Sequence, residues 1–243
     1  MSALRAQTTA EIRMTLRRGE SVLLTLGIPV LLLVFFSAVD VLPLPAGVDD
    51  PVDVLAPGML ALAVMSSAMV GTAIATAFER QYLVLKRLGT TPLGRQNLVL
   101  AKILAILAVE IVQVIAVIAV GIALGWRPSA NGIIAGAAAV VLATSAFTGL
   151  GLTMAGRWRA EMTLAGANGI YLVLLLVSGM VIPVEELPSA LRAVSRLLPS
   201  TALADVFHGA LRTGVGVPGR AWIVLFAWAV AAPAMAVRLF RWE

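Results

Sequence analysis

The sequence predicts an all-α membrane protein that crosses the bilayer six times, and three observations support this fold class. Of its 243 residues, 60% are hydrophobic and only 13% are charged, whereas a soluble domain is about half apolar and a quarter charged. The apolar residues form six runs long enough to span a bilayer, and the mean hydropathy is +0.98. The basic residues stand at the ends of these runs, as they do in loops that set membrane topology.

The predicted elements follow one another within one domain, residues 1–243. In residues 1–21, Leu4, Ile12 and Leu16 recur at multiples of four, which predicts an amphipathic helix on the membrane surface. The alternative is a solvated basic tail that only orients the first span. Residues 183–220 should form an outer loop with short helices and an exposed His208. The predicted spans cover residues 22–39, 55–77, 98–124, 132–155, 163–182 and 221–239.

Two pairs of glycines predict where helices approach closely. Gly121 and Gly125 lie four residues apart near the end of the third span, and Gly132 and Gly136 open the fourth. Small residues at this spacing allow two helix backbones to pack together in lipid, within one subunit or between subunits.

The distribution of Lys and Arg predicts the orientation. One side has four Arg before the first span, five Lys or Arg in residues 78–102, two in residues 156–161 and two after the last span. On the other side, the loop between the first and second spans holds no Lys or Arg, the loop between the third and fourth holds one, and the loop between the fifth and sixth holds four. By the positive-inside rule both termini and residues 78–102 are cytoplasmic, and the protein lies in the plasma or inner membrane. The net charge of +5 therefore serves topology and indicates no nucleic-acid partner.

Residues 78–102, here called the basic segment, form the most informative stretch. Their sequence is FERQYLVLKRLGTTPLGRQNLVLAK, with a single acid, Glu79, and a helix breaker in the middle. A helical connector of this kind is either a docking surface for another protein or a plain stop-transfer signal. Charge alone does not separate the two.

The residue order of the basic segment resembles the signature of type 2 ABC transporter permeases, the membrane subunits of ATP-driven exporters. In that family an acid ends the second span, a basic helix and a Thr-Pro-Leu turn follow, and a Lys begins the third span. The family's usual second acid and Gly are replaced here by Gln81 and Leu83. The segment after the fifth span, residues 179–199, resembles the family's outer segment. The matching positions in the basic segment are Glu79-Arg80, Leu85 to Leu88, Gly89 to Leu93, Arg95 and Lys102.

This resemblance implies a permease subunit of a drug-exporter-like ABC transporter that forms the translocation path. It implies two separate ATP-binding subunits, which bind ATP and Mg, and a second permease chain, identical or related, beside this one in the lipid bilayer. The chain has no G-x-x-x-x-G-K-[ST] loop, so it is predicted to be non-catalytic, with no cofactor or metal of its own. The residues that the resemblance assigns to coupling are Glu79, Arg80, Lys86, Arg87, Leu88, Gly89, Thr90, Thr91, Pro92 and Leu93.

Glu110, near the middle of the third span, is a second candidate site. A charge there costs about 2.5–3.5 kcal/mol on insertion scales, so the side chain should face the bundle interior. Gln113 lies on the same helical face, and Asn168 in the fifth span is a candidate partner. The group marks either the translocation path or a packing hydrogen bond between helices.

Glu110 also supports an alternative function, a proton-coupled secondary transporter with this carboxyl as the carrier. That transporter would work without an ATPase and would show an inverted repeat, which the sequence lacks. An intramembrane enzyme is disfavoured, because the single histidine lies in an outer loop and no acid pair lies in the spans.

Overall fold

Helices form the regular secondary structure of the residues that the computed structural model describes, namely 3–17, 19–39, 50–180, 184–212 and 214–240. These residues contain no strand, so the predicted all-α class is confirmed. Short 3-10 turns occupy Ala130–Gly132 and Val184–Glu186. The helices are Ala3–Arg17 (α1), Gly19–Ala38 (α2), Val52–Gln81 (α3), Val84–Gly89 (α4), Arg95–Ala123 (α5), Ile133–Ala155 (α6), Ala160–Val177 (α7), Ser189–Ser195 (α8), Pro199–Leu211 (α9) and Gly219–Leu239 (α10).

Five of the predicted spans are long apolar helices in the described part of the chain. The helices α3, α5, α6, α7 and α10 are long and apolar enough to cross a membrane, which takes about 20 residues. The chain is therefore a multi-pass membrane protein. The predicted span 22–39 coincides with α2, but the side chains of α2 are described only from Gly27, so this sixth span stays a prediction. The predicted end of the fifth span, residues 181–182, lies outside the described residues.

The helix α6 lies at the centre of the bundle and contacts α3, α5, α7, α9 and α10. Its glycines bring backbones together. A Cβ built at Gly149 would lie 2.4 Å from the nitrogen of Pro233 in α10, and one at Gly151 would lie 2.6 Å from the carbonyl oxygen of Met69 in α3. Lipid chains are as apolar as the side chains, so close packing of this kind is what holds such helices together.

One glycine of each predicted pair, Gly121 and Gly132, lies at a close contact within this subunit, whereas a Cβ built at Gly125 would have no atom within 4 Å. A Cβ at Gly132 would lie 1.7 Å from the carbonyl oxygen of Ala210 in α9, and one at Gly121 would lie 2.8 Å from the ring of Trp126. The Gly132 contact is backed by a hydrogen bond from the Ser129 amide to the Leu211 carbonyl. The contacts of Gly132 and Ser129 attach α9 to the start of α6.

The helix α9 is the most buried part of the segment between the fifth and sixth predicted spans. It packs against α3, α6 and α10. The expectation of an exposed His208 is wrong, because α9 is drawn into the bundle and leaves this side chain half-buried. Its Nδ1 is enclosed and receives no hydrogen bond from the described residues. Burial, with a smaller contribution from the charge of Arg212, lowers the pKa of His208 from 6.5 to about 4.

The helix α1 packs against α5 through a polar face rather than an apolar one. Gln7 and Glu11 are buried, whereas Met14 and Leu16 are 36% and 57% exposed. The expected helix is present, and its bundle-facing side is polar because it meets the ammonium of Lys102. The exposed apolar side chains fit a helix that lies on the membrane surface, which stays a prediction.

Candidate functional site

The basic segment protrudes from the bundle as the short helix α4 and a turn, held by one apolar anchor. Leu85 of α4 is fully buried and packs with Leu93, Leu98 and Phe240. Tyr82, just before α4, is 70% exposed. A protrusion with a buried anchor of this kind moves with the helices to which it is attached, because cores are densely packed.

The two threonines of the turn fix its shape. The hydroxyl of Thr90 donates to the Arg87 carbonyl at 2.8 Å, and the hydroxyl of Thr91 donates to the Leu88 carbonyl at 2.6 Å. The same carbonyls also accept the backbone amides of Thr90 and Thr91, at 3.3 Å and 3.0 Å, so each threonine is held by both its amide and its hydroxyl. Pro92 follows, has no amide hydrogen and cannot continue the helix. The Thr-Thr-Pro order therefore produces a defined end to α4.

Leu83 joins α3 to α4 in a left-handed backbone conformation, with φ 59° and ψ 17°. A residue with a Cβ is unfavourable there by roughly 1–2 kcal/mol relative to its right-handed form. Glycine has no such penalty, and glycine is what the resembling permeases carry at this point. Leu83 is therefore a point of backbone strain between α3 and α4.

The predicted coupling residues separate into an exposed set and an inward set. Glu79 is buried, and the Arg80 Nη2 donates a hydrogen bond to the carbonyl oxygen of Trp158. Leu93 is buried and Leu88 is half-buried. The inward residues hold the segment to the bundle rather than offering a surface. The exposed residues are Lys86, Arg87, Gly89, Thr90, Thr91 and Pro92.

A buried ion-pair network lies beside the protrusion and joins three helices. The Lys102 ammonium of α5 lies 3.1 Å from the Glu11 carboxylate of α1 and 2.8 Å from the Glu79 carboxylate of α3. The Gln7 amide donates to Glu11 at 2.8 Å. All four side chains are buried. Two carboxylates share one ammonium, so this charge triad carries one excess negative charge.

Glu110 lies in a second polar cluster, inside the bundle. It is fully buried, accepts a hydrogen bond from Ser67 at 3.0 Å and accepts another from Thr144. Ser67 belongs to Ser66–Gly71, a π-helical turn within α3. Such turns are rare and recur at functional sites. Through its hydrogen bonds to Ser67 and Thr144, the Glu110 carboxyl links α5 to α3 and to α6. Contacts of this kind favour the interpretation of Glu110 as a packing residue.

The two other intramembrane candidates have different positions. Gln113 is buried on α5, one turn beyond Glu110, as its spacing predicts. Asn168 is exposed on α7 and donates to the Leu164 carbonyl of its own helix at 2.8 Å. The expectation that Asn168 pairs with Glu110 is wrong, because the hydroxyls of Ser67 and Thr144 fill that role.

Sequence reasoning missed Glu11, Ser67 and Thr144. Glu11 had one usable signal, since it stands four residues after Gln7 among basic residues and shares a helix face with it. Ser67 and Thr144 had none, because a hydroxyl in an apolar span looks like any small packing residue.

Comparison with known protein families identifies one match. Residues 2–211 match the family described as ABC-2 type transporter. No curated protein matches the chain. The matched residues include the basic segment, the charge triad and the Glu110 cluster.

Proposed function

The chain belongs to the ABC-2 type transporter family and is a membrane permease subunit, and we propose that it couples to ATP hydrolysis on separate nucleotide-binding subunits and works as an exporter. The observation that carries this proposal is the exposed, internally bonded tip of the basic segment. The tip is attached to the bundle through Leu85, which packs against Leu98 of α5 and against Phe240 just after α10.

The chemistry of the tip suits a protein partner. Lys86 and Arg87 supply positive charge that steers an acidic surface toward it, and exposed Tyr82 supplies apolar area for a cleft. A stop-transfer signal needs the charge but not the fixed turn. The threonine hydrogen bonds therefore favour docking.

The proposed assembly contains two permease chains, identical or related, and two ATP-binding subunits. ATP and Mg belong to those subunits, because this chain has no phosphate-binding loop. We place both termini and the basic segment in the cytoplasm and the protein in the plasma or inner membrane, from the distribution of Lys and Arg.

Force would pass from the tip into the spans through the inward residues. Closure of the ATP-binding subunits displaces the tip, and the anchor of Leu85 carries the displacement into α5. Arg80 connects the end of α3 to the turn before α7 through Trp158, and the Gln81 amide donates to Glu161 at 3.2 Å. The helices then rock as packed units and alternate access.

A charge-reversal variant tests the proposal. The double substitution Lys86→Asp and Arg87→Asp should prevent assembly with the ATP-binding subunit or uncouple hydrolysis from transport, since it reverses both charges on the exposed tip. Arg127→Asp, an exposed arginine beyond the far end of α5, is the matched control and should assemble normally. A double variant that assembles and couples like the parent protein would refute the docking role.

A further inference from the structure

A cavity of about 620 Å³ lies between α1, α3 and α5, next to the charge triad. It has the size of a pocket for one drug-like or lipid-like molecule, since such pockets span roughly 300–1,000 Å³. Its lining is mainly apolar and includes Met14, Ile74, Phe78, Ile106 and Val109. It extends along α3 from the triad to the π-helical turn Ser66–Gly71.

The charged side chains that line this cavity are the three members of the triad, Glu11, Glu79 and Lys102. With two carboxylates and one ammonium, the cavity wall carries one excess negative charge. The ammonium is held between both carboxylates, at 3.1 Å and 2.8 Å. A positive group that enters the cavity therefore meets uncompensated negative charge in a poorly solvated place, where charge interactions are strong.

Two buried threonines of α3 stand beside the triad in the cavity wall. Thr72 and Thr76 are buried, line the cavity and make no side-chain hydrogen bond with any described residue. They stand on one face of α3 with Glu79, at intervals of four and three residues. The two oxygens are enclosed rather than open to the cavity, so the polar attraction for a ligand comes from the carboxylates of the triad.

We propose that this cavity binds an amphipathic cation, an apolar body that carries one positive group, with the positive group toward Glu11 and Glu79. As a statement about cargo it rests on the proposed export function. An anionic amphipath is disfavoured because the ammonium of Lys102 is already neutralised by two carboxylates.

Equilibrium binding to the purified chain in a non-ionic detergent tests the inference without an ATPase. The probes are tetraphenylphosphonium and tetraphenylborate, which have the same shape and opposite charge. The cation should bind at least about tenfold more tightly than the anion, because only the cation is attracted by the excess charge. Equal affinity, or no saturable cation binding, would overturn the inference.

Two variants locate the site. Ala75→Phe fills the cavity from α3 and should weaken cation binding at least about tenfold. Ala138→Phe, on an exposed face of α6, is the size-matched control and should bind like the parent chain. Glu11→Gln removes the excess charge and should abolish the preference of cation over anion while apolar binding persists. An unchanged preference in Glu11→Gln, or equal effects of both phenylalanines, would contradict the assignment.

The source of the cation is resolved by competition. If a lipid with a net positive trimethylammonium headgroup, dioleoyl-trimethylammonium-propane, displaces tetraphenylphosphonium and phosphatidylglycerol does not, the occupant is a lipid with a cationic headgroup. If neither lipid competes, the occupant is a diffusible amphipathic cation. Both results support the site. Loss of cation binding in a chain that still couples to its ATPase would refute this inference alone and leave the proposed function intact.

Discussion

Substitution of Lys102 by methionine is the sharpest test of how the basic segment is held to the bundle. The methionine keeps the unbranched shape and most of the length of the side chain but removes the charge that two buried carboxylates share, at 3.1 Å and 2.8 Å. Breaking a buried ion pair by removing one partner costs about 3–5 kcal/mol, since the remaining charge has lost its compensation. For a chain of this size, each kcal/mol lowers Tm by about 2–4 °C. The expected fall is therefore about 6–20 °C.

The assay is thermal unfolding in detergent, followed by the intrinsic fluorescence of the five tryptophans. Lys86→Met is the matched control, because Lys86 is the chain's other lysine and is exposed. It should change stability by less than about 0.5 kcal/mol. The triple variant Glu11→Gln, Glu79→Gln and Lys102→Met carries no charge at the triad and should recover most of the loss. Equal Tm values for Lys102→Met and Lys86→Met, or a triple variant as unstable as Lys102→Met, would refute the reasoning.

Three further outcomes are expected. Gly132→Ala should destabilise the fold by at least about 3 kcal/mol in thermal unfolding, because its Cβ would overlap the Ala210 carbonyl. Gly169→Ala is the control. Because no atom lies within 4 Å of its Cβ, it should be neutral or stabilising by about 0.5–1 kcal/mol in the same assay. Glu110→Gln should transport normally at all pH values, because an amide keeps both hydroxyl contacts; a lost or pH-shifted transport rate would instead give the carboxyl a mechanistic role. Stability should fall as pH drops from 6.5 to 4, where the unfolded chain binds a proton that the folded His208 does not; an unchanged pH dependence of unfolding in His208→Gln would contradict that assignment.

The fold was predictable because hydropathy and charge are local properties of the sequence. A run of about 20 apolar residues must be helical in a bilayer, where each backbone group needs a partner within its own segment. The tip of the basic segment was predictable for a similar reason. Its Thr-Thr-Pro order dictates local hydrogen bonds and a helix end without any help from the rest of the chain.

The charge triad and the cavity were not predictable, because they depend on tertiary packing. Glu11 and Lys102 are separated by 91 residues, and nothing near either one shows that α1 will lie against α5. The left-handed conformation of Leu83 had no signal in the leucine itself, which rarely adopts it, and the glycine of the resembling family at this position was the one available clue. The π-helical turn at Ser66–Gly71 is likewise set by what α3 packs against, and its small residues resemble those of any membrane helix.

The central claim is that the tip of the basic segment touches a separate ATP-binding subunit, and site-specific photo-crosslinking tests it most directly. The chain contains no cysteine, so a single cysteine introduced by Thr90→Cys can carry a benzophenone maleimide. Ile134→Cys, 83% exposed at the start of α6, is the control near the opposite end of the bundle. When the labelled permease is irradiated in a complex with its ATP-binding-cassette partner, the account predicts a permease–ATPase adduct from position 90 and none from position 134. An intact complex that gives no adduct from position 90, or the same yield from both positions, would contradict it.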